Sequence, residues 1–199
     1  MILASASPRR KELLEAAGIG FEAVPSVIEE RQGEQETAEA FACRVAREKA
    51  QDVLARLPCS YPQMVLGADT VVLVAGRTLG KPASEEDAAA MLRLLSGRDH
   101  LVLTAVCLLH RDASAGARPQ QITEDLRTAV TKVRFLQLSE SEIDEYVGSG
   151  EPFDKAGAYA IQGRASRFVE SIEGCYFNVV GLPVSLVHQM LQRNRPAGS

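Results

Sequence analysis

The chain contains no tryptophan, its aromatic content is only 5%, and no stretch approaches the roughly 20 consecutive apolar residues of a membrane span. No basic, aromatic-rich segment is present on which nucleic-acid bases would stack. A net charge of −4 removes the overall basic bias of a protein that wraps nucleic acid, so any phosphate-bearing ligand is expected to be small. Cys43, Cys59, Cys107 and Cys175 are far apart and form no C-x-x-C pair, which excludes a zinc ribbon and a thioredoxin-like motif and reads as four reduced thiols. His100, His110 and His188 are equally dispersed, without metal-ligand spacing. The N-terminus places a brief apolar run ahead of its basic residues, the wrong order for a secretory signal, so a cytoplasmic protein is expected.

What the chain does have is 199 residues, 46% of them hydrophobic, in short runs broken by charges and turn residues. That is enough for one domain, or one domain with two lobes around a cleft. Ile2-Leu3-Ala4 reads as a buried strand, and Ser7-Pro8 as the N-cap and first position of a helix to about Ala17. A strand near Phe21–Val24, a polar loop from Glu29 to Glu36 and a long helix from Ala38 to Leu57 follow. Met64–Ala68 reads as a second buried strand ending at Asp69, with Val71–Val74 extended to a turn at Gly76 and a return through Leu79. Ser84–Asp87 and Ser139–Glu142 are capping-box patterns. Strands are expected over His100–His110, Asp125–Phe135, Phe168–Ile172 and Phe177–Val180, and a last helix begins at Pro183. The polar, small-residue connection from Arg111 to Thr123 reads as an exposed loop tolerant of insertion, and Arg195 to Ser199 as a fraying end. Strands and helices without regular βαβ alternation predict a mixed α/β fold: a twisted sheet flanked by helices, with some antiparallel pairing.

Several residues carry chemistry. Phe41, Val45, Val53 and Leu57 form a four-residue apolar ladder whose missing rung is Lys49, which must either snorkel to solvent or meet an anion. Asp69 follows a buried strand and is either a turn residue or a carboxylate on a rigid scaffold. Gly76–Pro82 is not a phosphate-binding loop of the Walker type, because only three residues separate its glycines and proline takes the Ser/Thr position, although Lys81 can still contact phosphate. Ser7-Pro8-Arg9-Arg10 sets a hydroxyl, two guanidinium groups and free N–H groups at a helix start, which suits an anion as well as a simple cap. Glu151-Pro-Phe-Asp154-Lys155-Ala-Gly157 is compatible with a ligand loop or an ordinary turn.

Taken together these segments resemble the Maf family of nucleotide pyrophosphatases, whose fold is related to that of inosine triphosphate pyrophosphatase. The resemblance runs from Leu3 to about Leu191 and makes 1–199 a single domain. It is carried by Leu-Ala-Ser-Ala-Ser-Pro-Arg-Arg at the start, Gly-Ala-Asp69-Thr70, Gly-Lys81-Pro, Leu-Ser-Gly-Arg at 95 to 98, Gly-Glu-Pro-Phe-Asp-Lys-Ala-Gly-Ala-Tyr at 150 to 159, Ile-Gln162-Gly and Val-Gly-Leu-Pro at 180 to 183. It implies hydrolysis between the α- and β-phosphates of a nucleoside triphosphate. Asp69 then corresponds to a general base or metal ligand, with Lys49 and Lys81 as cationic catalytic groups and Ser7, Arg10 and Lys155 as substrate contacts. Glu30, Asp69 and Asp154 are the oxygen ligands for a divalent metal, magnesium or manganese, with Glu30 the less secure because Glu29 adjoins it. Arg9, Thr70 and Gln162 match the members that prefer uridine and thymidine triphosphates, and a glutamine amide suits the adjoining carbonyl and N–H of those bases. The partner is the nucleotide, with no stable nucleic acid and no membrane, and the family makes a homodimer a reasonable expectation. The rival to the house-cleaning enzyme is a non-catalytic nucleotide-binding regulator linked to cell-division arrest. Arg164 to Arg167 departs from the glycine-rich turn common in relatives and is expected to face solvent.

Overall fold

The computed structural model describes residues 1–58, 63–111 and 121–194. Most of the Arg111–Thr123 connection, Cys59 and the end from Arg195 lie outside the described residues. In chain order the elements are β1 (Ile2–Leu3), α1 (Pro8–Ala16), β2 (Glu22–Ala23), α2 (Ala38–Arg56), β3 (Gln63–Val74), β4 (Arg77–Leu79), α3 (Glu85–Leu95), β5 (Asp99–Arg111), β6 (Ile122–Phe135), α4 (Glu140–Gly148), β7 (Val169–Glu173), α5 (Tyr176–Val180) and α6 (Val184–Arg193). The fold is mixed α/β, as expected. Its strands pair in the order β2-β1-β3-β5-β6-β7, with β4 also on β3. β1 runs parallel to β2 and β3, whereas the β3–β4 and β6–β7 pairs are antiparallel.

The chain divides into two compact units, the first of Met1–Asp69, Thr104–Ala129 and Gly181–Ser199, the second of Thr70–Leu103 and Val130–Val180. Three of the boundaries fall inside β3, β5 and β6, so each long strand contributes to both.

In the first unit the approach of α2 to β3 is set by Gly67. A Cβ built there would lie 2.1 Å from the Ala46 carbonyl oxygen and 2.9 Å from the Ala50 nitrogen, so only glycine fits. Ala42, Ala46 and Ala50 recur every four residues and are wholly buried, which gives the helix a ladder of small side chains. The helix starts at Thr37, whose hydroxyl accepts the Ala40 N–H. Beyond its other end, Arg111 is buried and donates to the Leu57 and Pro58 carbonyls.

The second unit is built around rings. His100 and Phe135 meet edge-on with centroids 5.0 Å apart, Phe135 meets Tyr159 at 4.9 Å, and Tyr146 meets Phe168 at 5.4 Å. α4 opens with the complete capping box expected, the Ser139 hydroxyl and Glu142 carboxylate each accepting the other residue's N–H.

Four expectations are corrected. β3 does not end at Asp69 but continues to Val74, so the carboxylate projects from mid-strand. Phe177–Val180 belongs to α5 rather than to a strand: a four-residue apolar run carries no periodicity to separate the two states. There the buried Asn178 amide donates to the Val102 carbonyl and the Thr131 hydroxyl. At α3 the box is incomplete, because the Asp87 carboxylate accepts the Ala83 N–H rather than that of Ser84. Ser7 occupies the N-cap position of α1 without a capping bond from its side chain.

Two outcomes follow for stability. Gly67→Ala forces a methyl against backbone that has no room to yield, and urea unfolding is expected to show a loss of about 3 kcal/mol. Burial pushes the His100 imidazole down to about 4. An unfolded chain takes up that proton near pH 6.5, so the stability present above that value is lost as pH falls toward 4, by at most about 1.4 kcal/mol per pH unit. Unfolding free energies measured across that window should lose this slope in His100→Gln.

Candidate active site

The first unit gathers four charged side chains. Lys49 sits on the buried face of α2 between Ala46 and Ala50 and is 8% exposed, so the close approach permitted by Gly67 carries its ammonium to β3. Nζ lies 2.8 Å from Asp69 Oδ1 and 2.9 Å from Glu30 Oε1. Of the two open readings of Lys49, the anionic partner holds and the snorkel does not. Glu30 is also distinguished from its neighbour, because Glu29 pairs with Arg31 on the surface.

Arg10 is the fourth charge. Its guanidinium is 8% exposed and donates from Nε to the Gly181 carbonyl and from Nη1 to the Ala68 carbonyl, both at 2.9 Å. Nη1 also reaches the Ser5 hydroxyl at 3.4 Å, and that oxygen accepts the Ser7 N–H. Arg10 thereby ties the start of α1 to the strand residue preceding Asp69 and to the turn before α6. Arg9 and Ser7 are half-buried at the same helix start.

These neighbours tune Asp69. Burial raises its carboxyl above the ordinary range, opposed chiefly by the Lys49 charge and hydrogen bond and then by Arg10, while Glu30 adds to the rise. Burial likewise lowers Arg10, although Asp69 and Glu30 favour its charged form.

The second unit carries Thr70, Lys81, Asp154, Lys155 and Gln162. The Gly157 N–H donates to the Gly80 carbonyl at 3.0 Å, which holds the Lys81 turn beside the Asp154–Gly157 turn. Gly157 has φ +71°, and a Cβ there would press on Val72 at 3.0 Å. Asp154 (φ 76°) and Ala158 (φ 58°) are two of the three non-glycine residues with positive φ among those described. Such strain is concentrated in one loop, and it persists where surrounding contacts over-determine the backbone. Lys155 pairs with Asp154 at 2.7 Å, and Lys81 and Gln162 are exposed.

A family model described as Maf-like protein matches residues 1–194. The chain belongs to the Maf family. Proteins named dTTP/UTP pyrophosphatase are similar to it along nearly their whole length. That of Syntrophomonas wolfei subsp. wolfei is 48% identical over 191 residues, or 96% of this chain and 95% of the relative. That of Geobacillus sp. (strain WCH70) is 48% identical over 193 residues, 97% of each. That of Salmonella typhimurium (strain LT2) is 49% identical over 191 residues, 96% of this chain and 91% of the relative.

In this Maf chain the expected residues fall into two sets. Asp69, Lys49, Glu30 and Arg10 converge in the first unit, and the turns of Lys81 and of Asp154 and Lys155 are joined in the second. Two contributors escaped the sequence reading. Ser5 rather than Ser7 supplies the hydroxyl bonded to Arg10; the two serines stand two residues apart, and only Ser7 holds the N-cap position. Glu151 accepts the Tyr146 hydroxyl at 2.9 Å and the Arg164 N–H at 3.0 Å, and so frames the loop bearing Gln162. Arg164 and Arg167 face solvent, as expected, with Arg167 paired to Glu145 at the surface.

Among the described residues no group of three or more His, Cys, Asp and Glu side chains is placed to hold a metal ion. The donor set still suits a hard divalent cation, since Glu30 and Asp69 already converge on one positive centre and magnesium commonly takes one or two carboxylates plus substrate phosphates.

The ion cluster generates a direct test. Lys49→Met leaves Asp69 buried beside Glu30 without its main counter-charge, so its titration in carboxyl carbon NMR should move to higher pH than in the native protein.

Proposed function

We infer that this chain is a nucleoside triphosphate pyrophosphatase that hydrolyses thymidine and uridine triphosphates to the monophosphate and diphosphate. The observation that carries the reading is a buried, charge-paired Asp69 in a chain 48% identical, nearly end to end, to proteins named for that activity. In the reaction one water oxygen bonds to the α-phosphorus, the bond to the bridging oxygen of the β-phosphate breaks, and diphosphate leaves with the electron pair. We assign Asp69, on its strand, to orient that water and accept its proton, a role supported by burial that raises its proton affinity above the ordinary carboxylate range. The Lys49 charge and hydrogen bond favour the ionised form of Asp69 against that burial. Arg10, Lys81 and Lys155 supply positive charge to the phosphates and to the leaving diphosphate.

Glu30 and Asp69 are the residues we assign to a divalent metal, magnesium or manganese. Such an ion supplies charge neutralisation at the phosphate oxygens. Arg9, Thr70 and Gln162 are assigned to pyrimidine selection, modified pyrimidine nucleotides being further substrates. The proposed role is house-cleaning of the nucleotide pool by a cytoplasmic homodimer that holds no nucleic acid. No helix among the described residues is long and apolar enough to cross a membrane.

Diphosphate release from a panel of nucleoside triphosphates, with magnesium or manganese, tests the reading. Thymidine and uridine triphosphates should be turned over fastest, and Asp69→Asn should slow them at least about a thousandfold. Tight nucleotide binding without turnover by the native protein would favour a regulator instead.

A further inference from the structure

Glu30 reaches Lys49 from a stretch without regular secondary structure, between β2 and α2. A side chain on such a stretch holds one position only if other contacts offset the entropy of ordering it. Those contacts come from α2. Arg44, Glu48, Asp52 and Arg56 recur every four residues, so they form a charged row alongside the ladder that contains Lys49. Arg56 Nη2 donates to the Pro25 carbonyl at 2.8 Å, and the Val27 N–H donates to Asp52 Oδ2 at 3.1 Å. On the other side of Glu30, Arg44 Nη2 donates to the Arg31 carbonyl at 2.8 Å.

The same guanidinium forks onto Glu36, with Nε 2.7 Å from Oε1 and Nη2 2.8 Å from Oε2, while Nη1 bonds Glu48. Glu36 in turn accepts the Gly33 N–H on Oε2, and its carbonyl accepts the Gln32 side-chain amide. The bidentate bond holds the Glu36 carboxyl down to about 2, so it is ionised at neutral pH. Glu30 is therefore bracketed: Pro25 and Val27 are fixed before it, and Arg31, Gly33 and Glu36 after it.

We propose that this charged row on α2 is a positioning device that holds Glu30 against Lys49, with Arg44 as its principal clamp. The proposal rests on the assignment of Glu30 to the active site. Arg44 bonds Glu36, Glu48 and the Arg31 carbonyl rather than Lys49 or Asp69, and its effect passes through Glu30.

A double-mutant cycle tests it. Arg44→Ala should lower kcat/KM for thymidine triphosphate about tenfold, whereas Arg44→Lys, which keeps the charge but not the fork, should recover part of that loss. In a Glu30→Gln background, Arg44→Ala should cost less than about twofold, because the group it positions is already gone. Hydrogen exchange should show faster exchange at the Gly33 amide in Arg44→Ala, with the amides of α2 still protected.

Equal losses in both backgrounds, or an unchanged Gly33 amide, overturn the positioning role. Glu30→Gln with native kcat/KM overturns the site assignment, and the exchange measurement then separately decides whether the row fixes the segment. Glu36→Gln removes the other half of the fork from outside the helix, and the same cycle is run with it if Arg44→Ala does not fold.

Discussion

The structure of the site depends on one buried ion pair. A carboxylate placed mid-strand in a close-packed interior is costly to ionise, and an ammonium on the buried face of a helix is equally costly. Each makes the other tolerable. Such pairs add little to stability relative to a well-packed apolar alternative, whereas removal of one partner leaves an uncompensated charge. The pair is therefore better explained by what Lys49 does to the proton affinity of Asp69. Burial lifts the Asp69 carboxyl above the ordinary carboxylate range, and Lys49 opposes that rise. Arg10 and Glu30 complete the balance, so the first unit brings two positive and two negative side chains to one place.

That local neutrality has a chemical meaning for a triphosphate ligand. A cluster that cancels its own charge does not by itself attract a polyanion. In the second unit, exposed Lys81 and half-buried Lys155 stand on turns joined through Gly157 and Gly80, with Lys155 paired to Asp154. The two settings differ physically: Asp69, whose proton affinity burial raises, stands on a strand, whereas Lys81 and Lys155 stand on turns.

Much of this was legible in the sequence, for identifiable reasons. Lys49 announced itself by interrupting an apolar ladder, and Asp69 by following a buried run. The long strands and helices were readable because their patterns extend over many residues. What failed was short or depended on distant partners. Phe177–Val180 was too brief for its period to show, and its helical state accompanies an Asn178 amide that bonds residues far away in the chain. The continuation of β3 through Asp69 was obscured by the charge itself. Glu29 and Glu30 were indistinguishable in sequence, since only the folded segment decides which one faces Lys49. Ser5 carries no sequence signal of its own, because Arg10 reaches it through tertiary rather than helical geometry.

The fit of Gly67 against Ala46 and Ala50 makes the first unit's site a matter of main-chain thickness. Where helix and strand touch through backbone atoms, their spacing is fixed by van der Waals radii rather than by side chains that can hop between rotamers. The gap spanned by Lys49 and Asp69 is thus insulated from repacking elsewhere in the core. Drift in the surrounding hydrophobic residues can alter how long the fold survives without altering the distance over which the proton-tuning charges act, so durability and chemistry in this unit are free to evolve separately.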